Sequence, residues 1–399
     1  MTYDVDRLRA HVPALREGAA HFDGPGGTQI PDQVADAMND ALRSALSNRG
    51  RGTASERRAD DIVTGARQAM ADLLGADARG IVFGRSMTQI TMDIARTLAQ
   101  NWGPGDEVVV SRLDHDADVR PWVIHAERAG ATVRWAEFDP TTGEMSPEDV
   151  LRHVTPATRL VALTGASNLI GTRPDLAAVG VGVHEHGALF YVDGVHLTAH
   201  APVDIAAIGC DFYACSPYKF LGPHLGVLAA SPDLLETLHP DKLLPATMVV
   251  PERFELGTLP YELLAGVTAA VDVLADLVPS EGDRRERVLT SMVALEDYED
   301  VLHARMREGL ESIPGIHLYS NAKHRTPTET FTIDGHNSDG VSAFLAERGV
   351  NAPAGNFYAL EVSRWLGLGD AGGVRVGLAP YSNDDDVDRL IAGLRELTA

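Results

Sequence analysis

Short apolar runs recur through the first two-thirds of the chain, alternating with stretches whose apolar positions are spaced three and four apart. The runs Ile81–Phe83, Glu107–Ser111, Thr132–Ala136, Leu160–Thr164, Leu189–Asp193, Phe212–Ser216 and Gly226–Ala230 read as strands. Between them, Arg57–Leu74, Thr88–Gln100, Val119–Ala129 and Leu176–His186 read as helices. Nearly continuous apolar strands alternating with helices predict an α/β fold, with a largely parallel sheet covered on both faces. The pattern changes after the polar break Pro279-Ser280-Glu281-Gly282-Asp283. A long helix over Arg284–Gly309 is then followed by strands near Ile316–Tyr319, Glu329–Ile333 and Val374–Leu378, with helices at Val341–Glu347 and from Asp385 to Leu397. This succession predicts a smaller α+β unit. The expected organisation is an N-terminal segment (1–20) near the small unit, a large domain (21–279) and a small C-terminal domain (280–399).

Composition narrows the classes of function. The 399 residues carry a net charge of −23, against a nucleic-acid or anionic-membrane partner, which needs clustered Lys and Arg. No apolar run approaches the roughly 18–20 residues of a membrane span. The first fifteen residues lack the apolar core of a secretory signal, and two cysteines, Cys210 and Cys215, make no disulfide framework. A cytoplasmic location is expected. Asp114, Asp116 and Asp118 alternate with His115, but the glycine and glutamate of a calcium loop are absent, so no metal is expected.

Lysine is scarce. Only Lys219, Lys242 and Lys323 occur, the last two in stretches that read as surface loops. Lys219 lies in Ser216-Pro217-Tyr218-Lys219-Phe220-Leu221-Gly222-Pro223, between a strand and a turn, where ligands collect in open α/β sheets. An amine held there is costly unless it is paired, neutralised or used covalently, and a Schiff base with an aldehyde cofactor is one such use. Asp193 ends the strand Leu189–Asp193 and points toward the same crevice. Alone it reads more readily as a cap or turn residue. Beside a strand-end lysine it suits a carboxylate that keeps a pyridine nitrogen protonated.

Asp193-Gly194-Val195-His196, Ser216-Pro217-Tyr218-Lys219 and Gly222-Pro223, in this order, resemble the class V aminotransferase and cysteine desulfurase group of pyridoxal-phosphate enzymes. Phe22–Gln29 and Gly355-Asn356-Phe357-Tyr358-Ala359 are similar to the opening and closing motifs of a cysteine desulfurase-like branch of that group. The resemblance covers nearly the whole chain. It implies the aspartate aminotransferase-like fold (fold type I of the pyridoxal-phosphate-dependent transferases), pyridoxal 5′-phosphate as cofactor, an amino-acid substrate and a homodimer. By the same resemblance Lys219 is the Schiff-base lysine and proton carrier, and Asp193 holds the pyridinium. His115 stacks on the ring, and His196 stands where a glutamine usually lies near the cofactor's phenolic oxygen. Asn168 lies between cofactor and substrate carboxylate, and Arg375 grips that carboxylate. Met87, Thr88 and Ser216 hold the phosphate, with Gly84–Gln89 placing free amides at a helix N-terminus. Thr258 reaches the phosphate of the neighbouring subunit, and Gln29 and Asn356 are expected near the substrate.

The reaction is less defined. Desulfurases of the group use a cysteine on a loop of the small domain, and Tyr358 occupies that place here. Cys210 and Cys215 read as small buried residues. The expected chemistry is therefore β-elimination of the C–S lyase type without a persulfide, with Lys219 as base and Tyr358 as acid. The alternatives are transamination, epimerisation or another carbanion step, and, in a different class, a non-catalytic pyridoxal-phosphate-binding homologue.

Overall fold

A computed structural model describes residues 3–399. Its centre is a seven-stranded sheet, in the order Ile81–Gly84, Gly226–Ala230, Phe212–Cys215, Leu189–Asp193, Thr158–Thr164, Glu107–Ser111, Thr132–Ala136. The last five of these strands run parallel. Gly226–Ala230 runs antiparallel to both of its neighbours. Its orientation follows from the short connection after Cys215, because a parallel return needs a crossover of about a dozen residues or more. Apolar residues on the two faces of the sheet belong to separate clusters. Phe83, Val109, Val161, Phe190 and Tyr213 belong to one, and Val82, Val108, Leu160, Tyr191 and Phe212 to the other. That alternation within single strands is what a sheet buried on both sides requires.

The boundaries differ from the sequence reading by a few residues. The helix expected from Arg57 begins at Ala54, where Thr53 and Glu56 form a reciprocal capping box. The strand expected over Val374–Leu378 is Gly373–Gly377. It lies in a four-stranded antiparallel sheet in the order Ala354–Gly355, Gly373–Gly377, Thr328–Ile333, Ile316–Leu318.

The division at residue 280 is not clean. Helix Arg284–Glu311 has 28 residues, and at about 1.5 Å per residue it is long enough to serve two cores. Val288, Met292 and Leu295 pack with the large sheet, whereas Leu302, Met306 and Leu310 pack with the small one. The N-terminal segment also touches both. Leu8 joins the large core, while Arg9 pairs with Asp386 at 2.8 Å. Ala20–His21 adds a parallel pairing to Val350–Asn351, and Phe22 is buried with the small core although the sequence assigns it to the large unit.

Candidate active site

The parallel strands of the large sheet all point their C-terminal ends the same way, and these ends open into a cavity of about 340 Å³. Its lining comes from distant parts of the chain. Pro25 and Gly26 come from the N-terminal turn, Ser86, Met87 and Thr88 from a helix start, and His115 and Asn168 from loops after strands. Asp193 ends a central strand, His196, Ser216 and Lys219 lie in the turns that follow central strands, and Phe357, Tyr358 and Arg375 come from the small unit.

Lys219 donates from Nζ to the Pro25 carbonyl, so the bent Gly-Pro-Gly turn near the N-terminus presents an acceptor to the cavity. Burial, reinforced by the nearby Arg375 charge, lowers the lysine pKa to about 7, and Asp193 opposes that shift. The same burial raises Asp193 to about 6, against the pull of the Val195 amide, which donates to Oδ1 at 2.9 Å, and of Lys219. An amine and an acid with displaced pKa values therefore share one cavity. His115 is lowered to about 4, first by burial and then by Lys219 and Arg375, so its ring is neutral at physiological pH. Its Nδ1 accepts from the Ala117 amide at 3.0 Å, which fixes the ring.

The helix Met87–Leu98 begins at this cavity. Ser86 caps it by accepting from the Gln89 amide at 3.1 Å, leaving the first amides of the helix without intrahelical acceptors. Gly226 lies beneath this turn. A Cβ there would stand 2.2 Å from the Ser86 carbonyl carbon and 2.4 Å from the Met87 nitrogen. The neighbouring strand thus lets the loop settle into a shallow cradle suited to an anion.

The small unit supplies the opposite wall. Arg375 is 2 % exposed and donates from Nη1 to the Asn168 carbonyl at 2.9 Å, with Nε unpartnered. Burial lowers its pKa to about 9, and it stays cationic at neutral pH. The Phe357 ring lies against the guanidinium at 3.7 Å. Asn168 donates from Nδ2 to the Phe357 carbonyl at 3.0 Å, while its Oδ1 is buried without a donor. Phe357 and Tyr358 both have positive φ, 53° and 61°, an uncommon conformation for non-glycine residues. Tyr358 accepts at its carbonyl from the Asp116 amide and stacks on His115 with ring centroids 5.6 Å apart.

Gln29 and Asn356 do not line the cavity. The Gln29 amide donates to the Tyr381 hydroxyl at 3.0 Å, and the Asn356 side chain joins the Asp370 carbonyl to the Tyr358 amide, a turn-stabilising pair of contacts. Thr258 is exposed and lies in another groove, with Asn48, Arg49 and Lys242. His196 lines the cavity and its Nε2 is held by Thr326 and Thr328 at 2.9 and 3.0 Å. Tyr218 and Phe357 are lining residues that sequence reasoning did not single out. Phe357 has a signal in its place beside Tyr358, whereas Tyr218 has none beyond its adjacency to Lys219.

A buried lysine and acid at the strand ends of a doubly covered sheet, closed by an arginine from a second sheet, have the features of an enzyme's active site. The model of the family "Aminotransferase class-V" matches residues 20–390. An uncharacterised protein of Mycobacterium tuberculosis is 35% identical over 400 residues, covering all of both chains. A cysteine desulfurase of Klebsiella pneumoniae is 30% identical, with 100% of this chain and 99% of that protein covered. The crystal structure of the Escherichia coli cysteine desulfurase CsdA superimposes with a TM-score of 0.86 at 28% identity, covering both chains completely. This chain belongs to the class V aminotransferase family, and its fold is fold type I of the pyridoxal-phosphate-dependent enzymes.

Proposed function

We propose that the protein is a pyridoxal-phosphate enzyme that cleaves the C–S bond of an S-substituted cysteine by β-elimination, without a persulfide. The observation that carries this reading is the pairing of a poised amine, Lys219, with an unpaired carboxylate grip, Arg375, in a cavity lined by Tyr358 and by no cysteine. The donor set suits the cofactor. The Met87 and Thr88 amides with the Ser216 hydroxyl would hold the phosphate, Asp193 the ring nitrogen, His115 the ring face, and His196 and Asn168 the phenolic side. When bound, that cofactor withdraws electrons from the substrate Cα.

The chain's own residues do the rest. Arg375 and Asn168 hold the substrate carboxylate, and the Phe357 ring keeps the guanidinium dry, which strengthens the pair. Lys219 Nζ takes the Cα proton, the Cβ–S bond breaks with its electron pair leaving on sulfur, and Tyr358 Oη returns a proton to that sulfur. The net change converts an S-substituted cysteine and water into pyruvate, ammonia and a thiol. Cys215 is buried and Cys210 half-buried, with burial pushing both thiols up, Cys210 to about 12, so neither supplies a thiolate. Family membership supports a homodimer, with Thr258 reaching the partner's phosphate site, and a cytoplasmic setting.

The decisive experiment supplies S-alkyl cysteines to the reconstituted protein and measures thiol and 2-oxo acid. Stoichiometric release of both, abolished in Lys219→Ala together with the visible absorption of bound cofactor, is the expected result. Turnover that requires a 2-oxo acid acceptor and releases no thiol would instead establish an aminotransferase.

A further inference from the structure

The chain leaves the small sheet after Ala354–Gly355 and returns to it at Gly373–Gly377. These strands pair with each other at the neck of the excursion, Gly355 opposite Gly373. Between them lie the cavity residues Phe357 and Tyr358, then the short helix Leu360–Trp365. Ala359 and Val362, both 0% exposed, pack with the large core and not with the small one. The excursion is thus a piece of the small unit docked on the large.

Its docking is ionic as well as apolar. Glu361 is buried, and each of its carboxylate oxygens accepts from an arginine of the large unit. Oε2 accepts from Arg112 Nη1 at 2.8 Å and Oε1 from Arg120 Nη2. Arg112 also reaches Glu137 at 3.2 Å and lies over the Trp135 and Trp365 rings, 5.0 Å from each centroid. Trp365 Nε1 donates to the Phe138 carbonyl at 2.8 Å. Arg120 pairs in turn with Asp116 at 2.7 Å, and the Asp116 amide donates to the Tyr358 carbonyl at 2.7 Å. These contacts form a loop that starts and ends on the excursion. Inside it, Phe357 and Tyr358 hold left-handed backbone, which non-glycine residues keep only where their surroundings over-determine it.

We propose that Glu361, acting through Arg112 and Arg120, is a positioning residue for the carboxylate grip. By pinning the excursion to the large unit it holds the Phe357 ring against the Arg375 guanidinium and the Phe357 carbonyl against Asn168 Nδ2. The cofactor side does not depend on it, because the Ala117 amide fixes His115 and the helix start at Met87 belongs to the large unit. A glutamine at 361 keeps the shape of the side chain. It cannot balance two guanidinium charges, and its own amide protons would meet one of them.

The inference rests on Arg375 as the carboxylate grip of a pyridoxal-phosphate site, and paired ligands separate the two failures. The full chain loaded with pyridoxal phosphate is titrated with L-alanine, which has no leaving group at Cβ, and with ethylamine, which is alanine without its carboxylate. The visible absorption of the cofactor reports binding. Wild type should bind alanine more tightly than ethylamine. In Glu361→Gln and in Arg120→Gln the alanine dissociation constant should rise about tenfold, while those of ethylamine and of the cofactor keep their wild-type values. In the cofactor-free protein, hydrogen exchange over residues 356–366 should quicken in both variants. A role confined to stability would lower the melting temperature and leave the alanine constant alone, or weaken all three ligands alike. Either result, or unchanged exchange, would overturn the proposal while leaving the Arg375 reading intact. A wild type that binds no cofactor, or that does not distinguish alanine from ethylamine, would overturn both. Should Glu361→Gln fail to fold, Arg120→Gln carries the test alone.

Discussion

Burial sets the working state of Lys219. An ordinary lysine amine is almost wholly protonated at neutral pH, and a protonated amine is no nucleophile. With its pKa lowered to about 7, this one is half free. The sign is definite: below pH 7 the amine carries its proton and capture of the aldehyde slows, and above it the rate levels off. The rate of cofactor uptake by the cofactor-free protein should accordingly rise with pH to a plateau with a midpoint near 7. A midpoint near the usual lysine value, read by stopped-flow absorbance, would show that the amine is not desolvated. Strand-end placement singles out both Lys219 and Asp193 in the sequence, rarity adds to the case for the lysine alone, and both line the cavity. Asn356 is not so marked, since an asparagine in a loop serves a turn or a ligand equally well, and here its amide is spent on the turn. Asp114 and Asp118 suggested only metal ligands, because local alternation carries no trace of the burial that the strands around them impose.

At the level of elements, apolar runs identify strands but not their direction. Gly226–Ala230 reads like its parallel neighbours, and only the length of the preceding connection betrays its reversal. Periodicity is equally silent on which helix serves two cores, so the boundary at 280 missed the dual packing of Arg284–Glu311. The reversed strand has a further use, because it brings Gly226 under the turn that starts helix Met87–Leu98. A methyl group there would meet backbone rather than a side chain that can swing aside. Gly226→Ala should cost about 1–3 kcal/mol of stability through overpacking and weaken pyridoxal-phosphate binding at least tenfold as the amides turn away. Thermal melts and fluorescence titration check the two effects, and an unchanged affinity would mean that the turn does not hold the phosphate.

For the molecule as a whole, the segment before helix Tyr261–Ala275 is its least covered apolar surface. Leu243, Leu244, Met248, Val249 and Leu256 are all exposed, Leu244 completely so, and Thr258 follows them. Exposed apolar residues so clustered mark an association surface. If this surface forms the proposed homodimer, Leu244→Glu should yield monomer in sedimentation velocity where wild type yields dimer and, if Thr258 completes the partner's site, reduce retention of cofactor in parallel. A monomeric wild type would remove that role for Thr258.

The clasp between Ala20–His21 and Val350–Asn351, together with the Pro25 carbonyl that receives Lys219, has a temporal consequence. On the ribosome, Pro25 waits for Lys219 in the middle of the chain, and Ala20–His21 waits far longer, for Val350–Asn351. The nascent large sheet can assemble early, but its mouth stays unfinished until the last strand leaves the exit tunnel. Cofactor loading is therefore a late event in biogenesis, and a prematurely terminated product would be born without a competent site.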